Sequence, residues 1–521
     1  MLPFQSDIGI SKDTVEVVGD LSALAAPVEI DGSGLIASPG FIDMHSHADF
    51  TLLTDPRSES KVRQGVTTEV TGHCGTTPAP LAEQHREEWI RSVGFVPGEL
   101  LWDWWSFADF LARIKNAGLG VNILPLVGHG AIRAAVMGIS NLKAGVEQMT
   151  MMETLLSNSM DEGAVGLSTG LVYPPGVYAD ATELMQLARV AGMRGGFYFS
   201  HIRGEGATLV AAVEEALMIA RRVRLPVQIS HLKAEGRTNW DKFERVLSMI
   251  DQAQVEGLDV GADMYPYTAA DTTITVLLPP WALAGGMSET LARLDDSGVR
   301  ERIAAEMVQQ GLLTEIGWSE ILVSACPARP DCVGKYIDDL AEEEDKPALD
   351  CVLDLVAESQ GEVDVILFSQ SEENVRKALT HPAVMIGTDA VGVSTTGPLA
   401  EWRPHPRACG TFPRILGTYV RRERVLTLEE GVRKMTSLPA SRLRLKDRGR
   451  LIPGYKADVV LFDPVTVDDA GEYGQPPRYP RGIEYVLING ELAVAKGEHT
   501  GNLPGRVLGT SDMILQQLSE C

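Results

Sequence analysis

GFIDMHSHADF, residues 40–50, is the stretch on which the fold turns. An apolar run, Phe41-Ile42-Asp43-Met44, ends in His45-Ser46-His47. In a β-strand, residues i and i+2 point to the same side, so His45 and His47 project together from the strand's end. Two converging imidazoles suit a divalent metal. Taken alone the pair also suits a solvated strand end, so the remainder of the chain has to decide.

Seven further short apolar runs follow, with amphipathic helical segments between several of them. The eight candidate strands are Phe41–His47, Thr67–Cys74, Val121–His129, Ala164–Gly170, Gly196–Arg203, Pro226–Lys233, Asp259–Tyr267 and Ala383–Asp389. Each reads as a continuous apolar stretch, as expected of parallel strands covered on both faces. Thr208–Arg224 places Leu209, Val213, Leu217 and Ala220 at helical spacing. Eight such units predict an α/β fold, a (β/α)8 TIM-like barrel, over residues 40–445. The last two strands are too far apart for one helix, which predicts an insertion at about 280–382, with the acidic run AEEEDK (341–346) as a solvated face. The two ends read as short strands and turns, with Asn489-Gly490 as a hairpin turn. A small β-sandwich domain built from residues 1–39 and 446–521 is the expected companion. TLEE at 427–430 offers a capping box for a late helix.

Metal-capable side chains collect at one end of these strands. His45 and His47 end the first, Cys74 the second and Asp389 the eighth; His201 and His231 lie near the ends of the fifth and sixth. That is the rim where barrel enzymes build their active sites. Six candidate ligands on one rim make a metal centre the better reading.

The bulk composition narrows the function classes. The 521 residues carry 46 Lys+Arg against 71 Asp+Glu, a formal net charge of −25. Such a chain is expected to avoid nucleic acid and anionic membrane surfaces. Six irregularly spaced cysteines with no CxxC pair argue against a disulfide framework and for a reducing compartment. The first residues show no basic stretch followed by an apolar one, and no apolar run is long enough to span a bilayer. A cytoplasmic location is expected; the oligomeric state stays open.

PGFIDMHSHAD, GVTTEVTGHCGTTPAP, SHIRGEG, ISHLKAEG, DMYPYTA, GTDA and HPRACGTFPRILGTYVR together resemble the amidohydrolase superfamily, and within it the N-acyl-D-amino-acid deacylases (D-aminoacylases), over nearly the whole chain. The resemblance implies a zinc enzyme that hydrolyses the linear amide of a small N-acyl-D-amino acid. It assigns Cys74, His201 and His231 to a tightly held zinc, and His45, His47 and Asp389 to a second, weaker metal position. Cys74 replaces the carboxylated lysine that many relatives carry on another strand, and the fourth strand here, GAVGLSTGL, has no lysine. Asp389 is the implied general base and acid; Lys233, Tyr265 and Arg407 are the implied contacts of the substrate carboxylate. The pattern is broken at His73, where the family commonly has asparagine, and at Cys409, where an aromatic is usual. His73 is either a support for a neighbouring ligand or an extra ligand. His129 reads as a hydrogen-bonded neighbour of the site, and His405 as a residue that positions Arg407. Two other readings stay open at this point: another C–N hydrolase of the superfamily, acting on cyclic amides or dipeptides, and a non-catalytic barrel. TAADTTITVLLPPW, after Tyr267, is expected to shape the side-chain pocket; having no Arg or Lys, it favours apolar D-residues over acidic ones.

Overall fold

The computed structural model describes residues 4–94, 100–309, 313 and 315–513. Cys521 and the last residues assigned to the terminal domain lie outside them.

Eight parallel strands close a barrel. They are β1 (Phe41–Asp43), β2 (Val66–Thr71), β3 (Asn122–Pro125, resumed at Val127–Gly128), β4 (Gly166–Gly170), β5 (Phe197–His201), β6 (Val227–Ile229), β7 (Val260–Met264) and β8 (Val384–Ile386). The order β1-β2-β3 forms one arc, and β3 to β8 the other. The seam between β8 and β1 is bonded by Met44 N–H donating to the Ile386 carbonyl at 3.1 Å and Asp389 N–H to the His45 carbonyl at 2.8 Å.

The continuous apolar character of the strands has a direct cause. Alternate residues serve two different buried layers. Ile42, Met44, Leu124, Leu126, Phe197 and Phe199 pack together in the barrel interior. Their neighbours Phe41, Ile123 and Tyr198 pack in the larger core that includes the helices. The helix expected at 208–224 spans Leu209–Val223 and buries Leu209, Val213, Leu217 and Ala220.

The insertion starts earlier than the strand spacing indicates. Ala270–Thr273 is already its first strand, antiparallel to Asp364–Leu367, which also pairs with Ile321–Ala325. The segment has its own apolar core around Ile303, Ile321, Val352 and Val365. The helix Glu372–Thr380 returns to the barrel, and Glu342 and Glu343 in the acidic run are exposed.

Residues from both ends form a five-stranded antiparallel sheet, in which Val459–Phe462 joins Ile36–Pro39 to Ile483–Ile488. Asn489 and Gly490 turn between Ile488 and Glu491 with φ of 50° and 82°, the left-handed pair that a two-residue hairpin needs. Thr427 caps the helix Leu428–Met435 by accepting from Glu430 N–H at 3.2 Å. Ile36–Pro39 runs through Gly40 into β1, so the terminal sheet anchors the strand that carries His45 and His47. No helix of the described residues is long and apolar enough to cross a membrane.

Candidate active site

The rim at the strands' carboxyl ends is where the six expected ligands converge. The Cys74 thiol lies 3.5 Å from His45 Nε2, 3.6 Å from His201 Nδ1 and 3.6 Å from His231 Nε2. A zinc ion with bonds of about 2.3 Å to sulfur and 2.0–2.1 Å to nitrogen, at tetrahedral angles, separates those atoms by about 3.6 Å. The donor chemistry and each of these sulfur-to-nitrogen separations therefore fit zinc. Asp389 Oδ1 stands 3.3 Å from His45 Nε2 and 3.2 Å from His47 Nε2. Cys74 borders both sets of contacts. Among the described residues the donor atoms that lie within 4.8 Å of one another are those of His45, Cys74, His231 and Asp389, and separately those of His201, Glu205 and His231, so the clusters cut across the tight and weak sets expected from the sequence.

The backbone is bent to achieve this. Cys74, His231 and Asp389, just beyond β2, β6 and β8, have φ of 53°, 32° and 50°. A non-glycine residue in that region is strained and persists where its surroundings hold it. Gly75 leaves room for the turn after Cys74: a Cβ there would sit 2.7 Å from the Gly170 amide nitrogen.

Buried carboxylates fix the ring orientations. Asp263 on β7 accepts from His45 Nδ1 at 3.1 Å and from the His231 backbone N–H at 2.8 Å, which turns His45 Nε2 towards the thiol. Glu205 sits 3.0 Å from His231 Nδ1, 3.6 Å from His201 Nε2 and 2.6 Å from Lys233 Nζ. One carboxylate thus joins two imidazoles of the metal cluster to the lysine beside them. Burial holds His47, His201 and His231 below the ordinary histidine range, so the rings are neutral, as ligation requires. Burial also pushes the Cys74 thiol well up, with Asp389 adding to the effect; a divalent cation would reverse this. Replacing Glu205 by glutamine is expected to weaken zinc binding by about 10–100-fold. Competition with a chromophoric chelator measures that.

Two of the three substrate contacts expected from the sequence, Lys233 and Arg407, stand beside the expected metal ligands; the third, Tyr265, is fully buried and lines no part of the cavity. Lys233 and Arg407 line a cavity of about 670 Å³ with Cys74, His201, His231 and Asp389. Arg407 Nη1 is 2.8 Å from Asp389 Oδ2. Tyr265 lies beneath the guanidinium, its ring centroid 4.6 Å from Cζ, and its hydroxyl accepts from Gln370 Nε2 at 2.8 Å. His405 Nδ1 accepts the Arg407 backbone N–H at 2.9 Å, so it does position that residue. The insertion supplies the far wall, including Asp271, Thr272, Ser324 and Asp364. Tyr173, from the loop after β4, reaches across to Thr272 Oγ1 at 2.9 Å.

His129 bonds Glu183 at 2.8 Å, and Glu183 also holds Arg133, so His129 is a member of a buried polar network. His73 is fully buried and stacks on His45, with centroids 3.8 Å apart and planes inclined by 24°. Its nitrogens have no hydrogen-bond partner among the described residues, and its ring braces His45.

A second polar cluster, absent from the sequence reading, lies below the rim. Lys61 is fully buried. Its Nζ meets Asp43 Oδ2 at 3.0 Å, Ser46 Oγ at 3.0 Å, Thr388 Oγ1 at 2.6 Å and the Ala390 carbonyl at 2.9 Å. These groups flank His45 and His47 on one side of the seam and Asp389 on the other. Glu205 and Asp263 were also missed. Their signal was a carboxylate set within a strand or glycine turn of otherwise apolar surroundings.

The model of the Amidohydrolase family matches residues 28–316 and 325–494. The chain belongs to the amidohydrolase family. Within that family it is 35% identical to the D-aminoacylase of Alcaligenes xylosoxydans xylosoxydans over 509 residues, covering 97% of this chain and 93% of the relative. It is also 35% identical to the N-acyl-D-glutamate deacylase of the same organism, over 97% and 92% of the two chains. The crystal structure of N-acyl-D-glutamate deacylase from Bordetella bronchiseptica, complexed with zinc and a phosphonate inhibitor, superposes with a TM-score of 0.81 at 32% identity, covering 97% of this chain and 95% of that one. As an amidohydrolase barrel, the chain has the fold expected from its strand spacing.

Proposed function

We propose that this amidohydrolase is a zinc-dependent deacylase that hydrolyses the amide bond of N-acyl-D-amino acids, releasing a carboxylate and a free D-amino acid. The observation that carries the reading is the meeting of one thiol, three imidazoles and Asp389 with a buried arginine in the lining of a single cavity, with the fourth imidazole, His45, buried directly behind the thiol. The D configuration rests on the curated relatives. Cys74, His201 and His231 would hold the tight zinc, and His45, His47 and Asp389 a second, weaker ion. When bound, zinc polarises the amide carbonyl and lowers the pKa of a water to about 7.

The chain's own residues do the rest. Asp389 takes a proton as water attacks the carbonyl carbon. As the C–N bond breaks, it returns that proton to the departing nitrogen. Arg407 and Lys233 bind the α-carboxylate, and Tyr265, buried beneath the guanidinium, fixes its plane. Burial alone would raise the Asp389 carboxyl, but Arg407, His231 and His45 outweigh it and hold the group ionised, well below the usual range. Replacing Lys233 by methionine should raise KM for N-acyl amino acids by about 10–100-fold, the worth of one charge-assisted hydrogen bond. A carboxamide-capped substrate should be affected much less, and equal effects on both would count against the clamp.

The cavity walls support neutral over acidic side chains. Of the cations that line it, Arg203 is paired with Glu215, and Lys233 and Arg407 are taken by the α-carboxylate, which leaves none for an acidic side chain. Asp271 and Asp364 add acidic groups opposite. The test is a panel of N-acetyl-D-methionine, its L isomer, N-acetyl-D-glutamate and hydantoin, with and without chelator. Chelator-sensitive hydrolysis of the first, faster than of the others, is expected. Turnover of hydantoin alone would overturn the reading.

We also propose that residues 1–39 with 446–521 form one domain and 40–445 the catalytic one, a division supported by the antiparallel sheet that Ile36–Pro39 shares with Val459–Phe462. The described cysteines are free and buried, which supports a reducing, cytoplasmic location.

A further inference from the structure

Arg407 is 3% exposed, and the way it is held is unusual for a buried cation. Its Nη2 donates to the Asp271 carbonyl at 3.1 Å. Nε and Nη1 are buried with no hydrogen-bond partner among the described residues. Nη1 does lie 2.8 Å from Asp389 Oδ2, so the contact is one of charge without hydrogen-bond alignment. The guanidinium cannot lie far from this place, because Tyr265 supports its face and His405 holds its backbone. Arg407 lines the cavity while its Nε and Nη1 lack an acceptor, and a carboxylate bound through two parallel hydrogen bonds is the best match for such a guanidinium.

Asp389 is fully engaged in the same arrangement. Oδ1 faces His45 and His47, and Oδ2 faces Arg407. A carboxylate that must collect a proton and hand it on needs one oxygen free to face the scissile amide.

We infer that Arg407 changes partners during the reaction: the α-carboxylate of the substrate takes over the guanidinium, and Asp389 Oδ2 is released towards the amide. The substrate's own carboxylate thereby readies the base. Arg407 is then a positioning residue for Asp389 as well as a binding residue. The inference rests on the deacylase reading above and extends it, because it makes the carboxylate a requirement for turnover and not for affinity alone.

The experiment compares the best N-acyl-D-amino acid of the panel with its carboxamide on the zinc-loaded enzyme. Partner exchange requires kcat to fall by about 100-fold or more for the carboxamide, together with a rise in KM; a clamp used only for binding changes KM at constant kcat. A second arm uses Asp389→Asn, with zinc content measured, and an uncleavable ligand, the N-methanesulfonyl derivative of the same D-amino acid. With Arg407 no longer held by a charged partner, calorimetry should show this ligand binding about tenfold or more tightly than to the native enzyme, with no such gain for its carboxamide. Unchanged kcat on the carboxamide, or equal affinity in Asp389→Asn, would overturn the exchange while leaving the deacylase assignment standing. Failure of the native enzyme to hydrolyse any acyl amino acid would overturn both.

Discussion

Asp389→Ala is expected to lower kcat by about 10²–10⁴-fold while leaving a folded protein that still holds zinc at Cys74, His201 and His231. The magnitude is that of a positioned proton carrier. The separation of effects follows from geometry, because Asp389 contacts His45, His47 and Arg407, whereas Glu205 orients His201 and His231 and Asp263 holds the His231 backbone. Alanine carries a backbone cost as well, because residue 389 has φ of 50°. Asparagine tolerates the left-handed region better than alanine does, so Asp389→Asn isolates the chemical loss from the conformational one. Steady-state kinetics with metal analysis on both variants checks this. Near-normal kcat in either would remove Asp389 from its assigned role.

Lys61→Met should produce the largest loss of stability. The lysine is buried against Asp43, with Glu69 Oε2 at 3.7 Å. Methionine keeps most of the unbranched apolar stem and leaves the Asp43 carboxylate with no cation. Removing one partner of a buried ion pair costs about 3–5 kcal/mol. The denaturant midpoint should fall accordingly, and Asp43→Asn in the Lys61→Met background should recover part of the loss, because it removes the orphaned charge. A midpoint unchanged to within about 0.5 kcal/mol would show that the pair is neutral in sum. The seam should suffer most, since Thr388 Oγ1 donates to Asp43 Oδ2 at 2.7 Å and Thr388 N–H to Asp43 Oδ1 at 2.8 Å.

What could be read in the sequence follows a physical pattern. Features encoded within about twenty residues were legible. Strands announce themselves because both their faces are apolar, the Leu209–Val223 helix because its stripe is periodic, and the Asn489-Gly490 turn because few residues adopt positive φ twice in succession. The six metal-capable groups were legible because strand ends share one rim once the strands are known. Features that depend on distant pairing were not. Lys61 looks like a surface lysine until the seam brings Asp43 and Thr388 to it. Glu205 looks like a loop acid until β6 places His231 and Lys233 alongside. The start of the insertion was displaced because Ala270–Thr273 bonds only to a strand nearly a hundred residues later, and polar Asp271 and Thr272 give no apolar signal.

The seam also sets a timetable for biogenesis. Asp43 and Thr388 are 345 residues apart in the chain. At ribosomal rates of about 5–20 residues per second, roughly 17–70 s separate the synthesis of one edge of the barrel from that of the other. Until β8 is made the barrel around Cys74 cannot close, so the thiol stands in an open pocket for most of that interval, and its exposure to oxidants is greatest before the chain is complete.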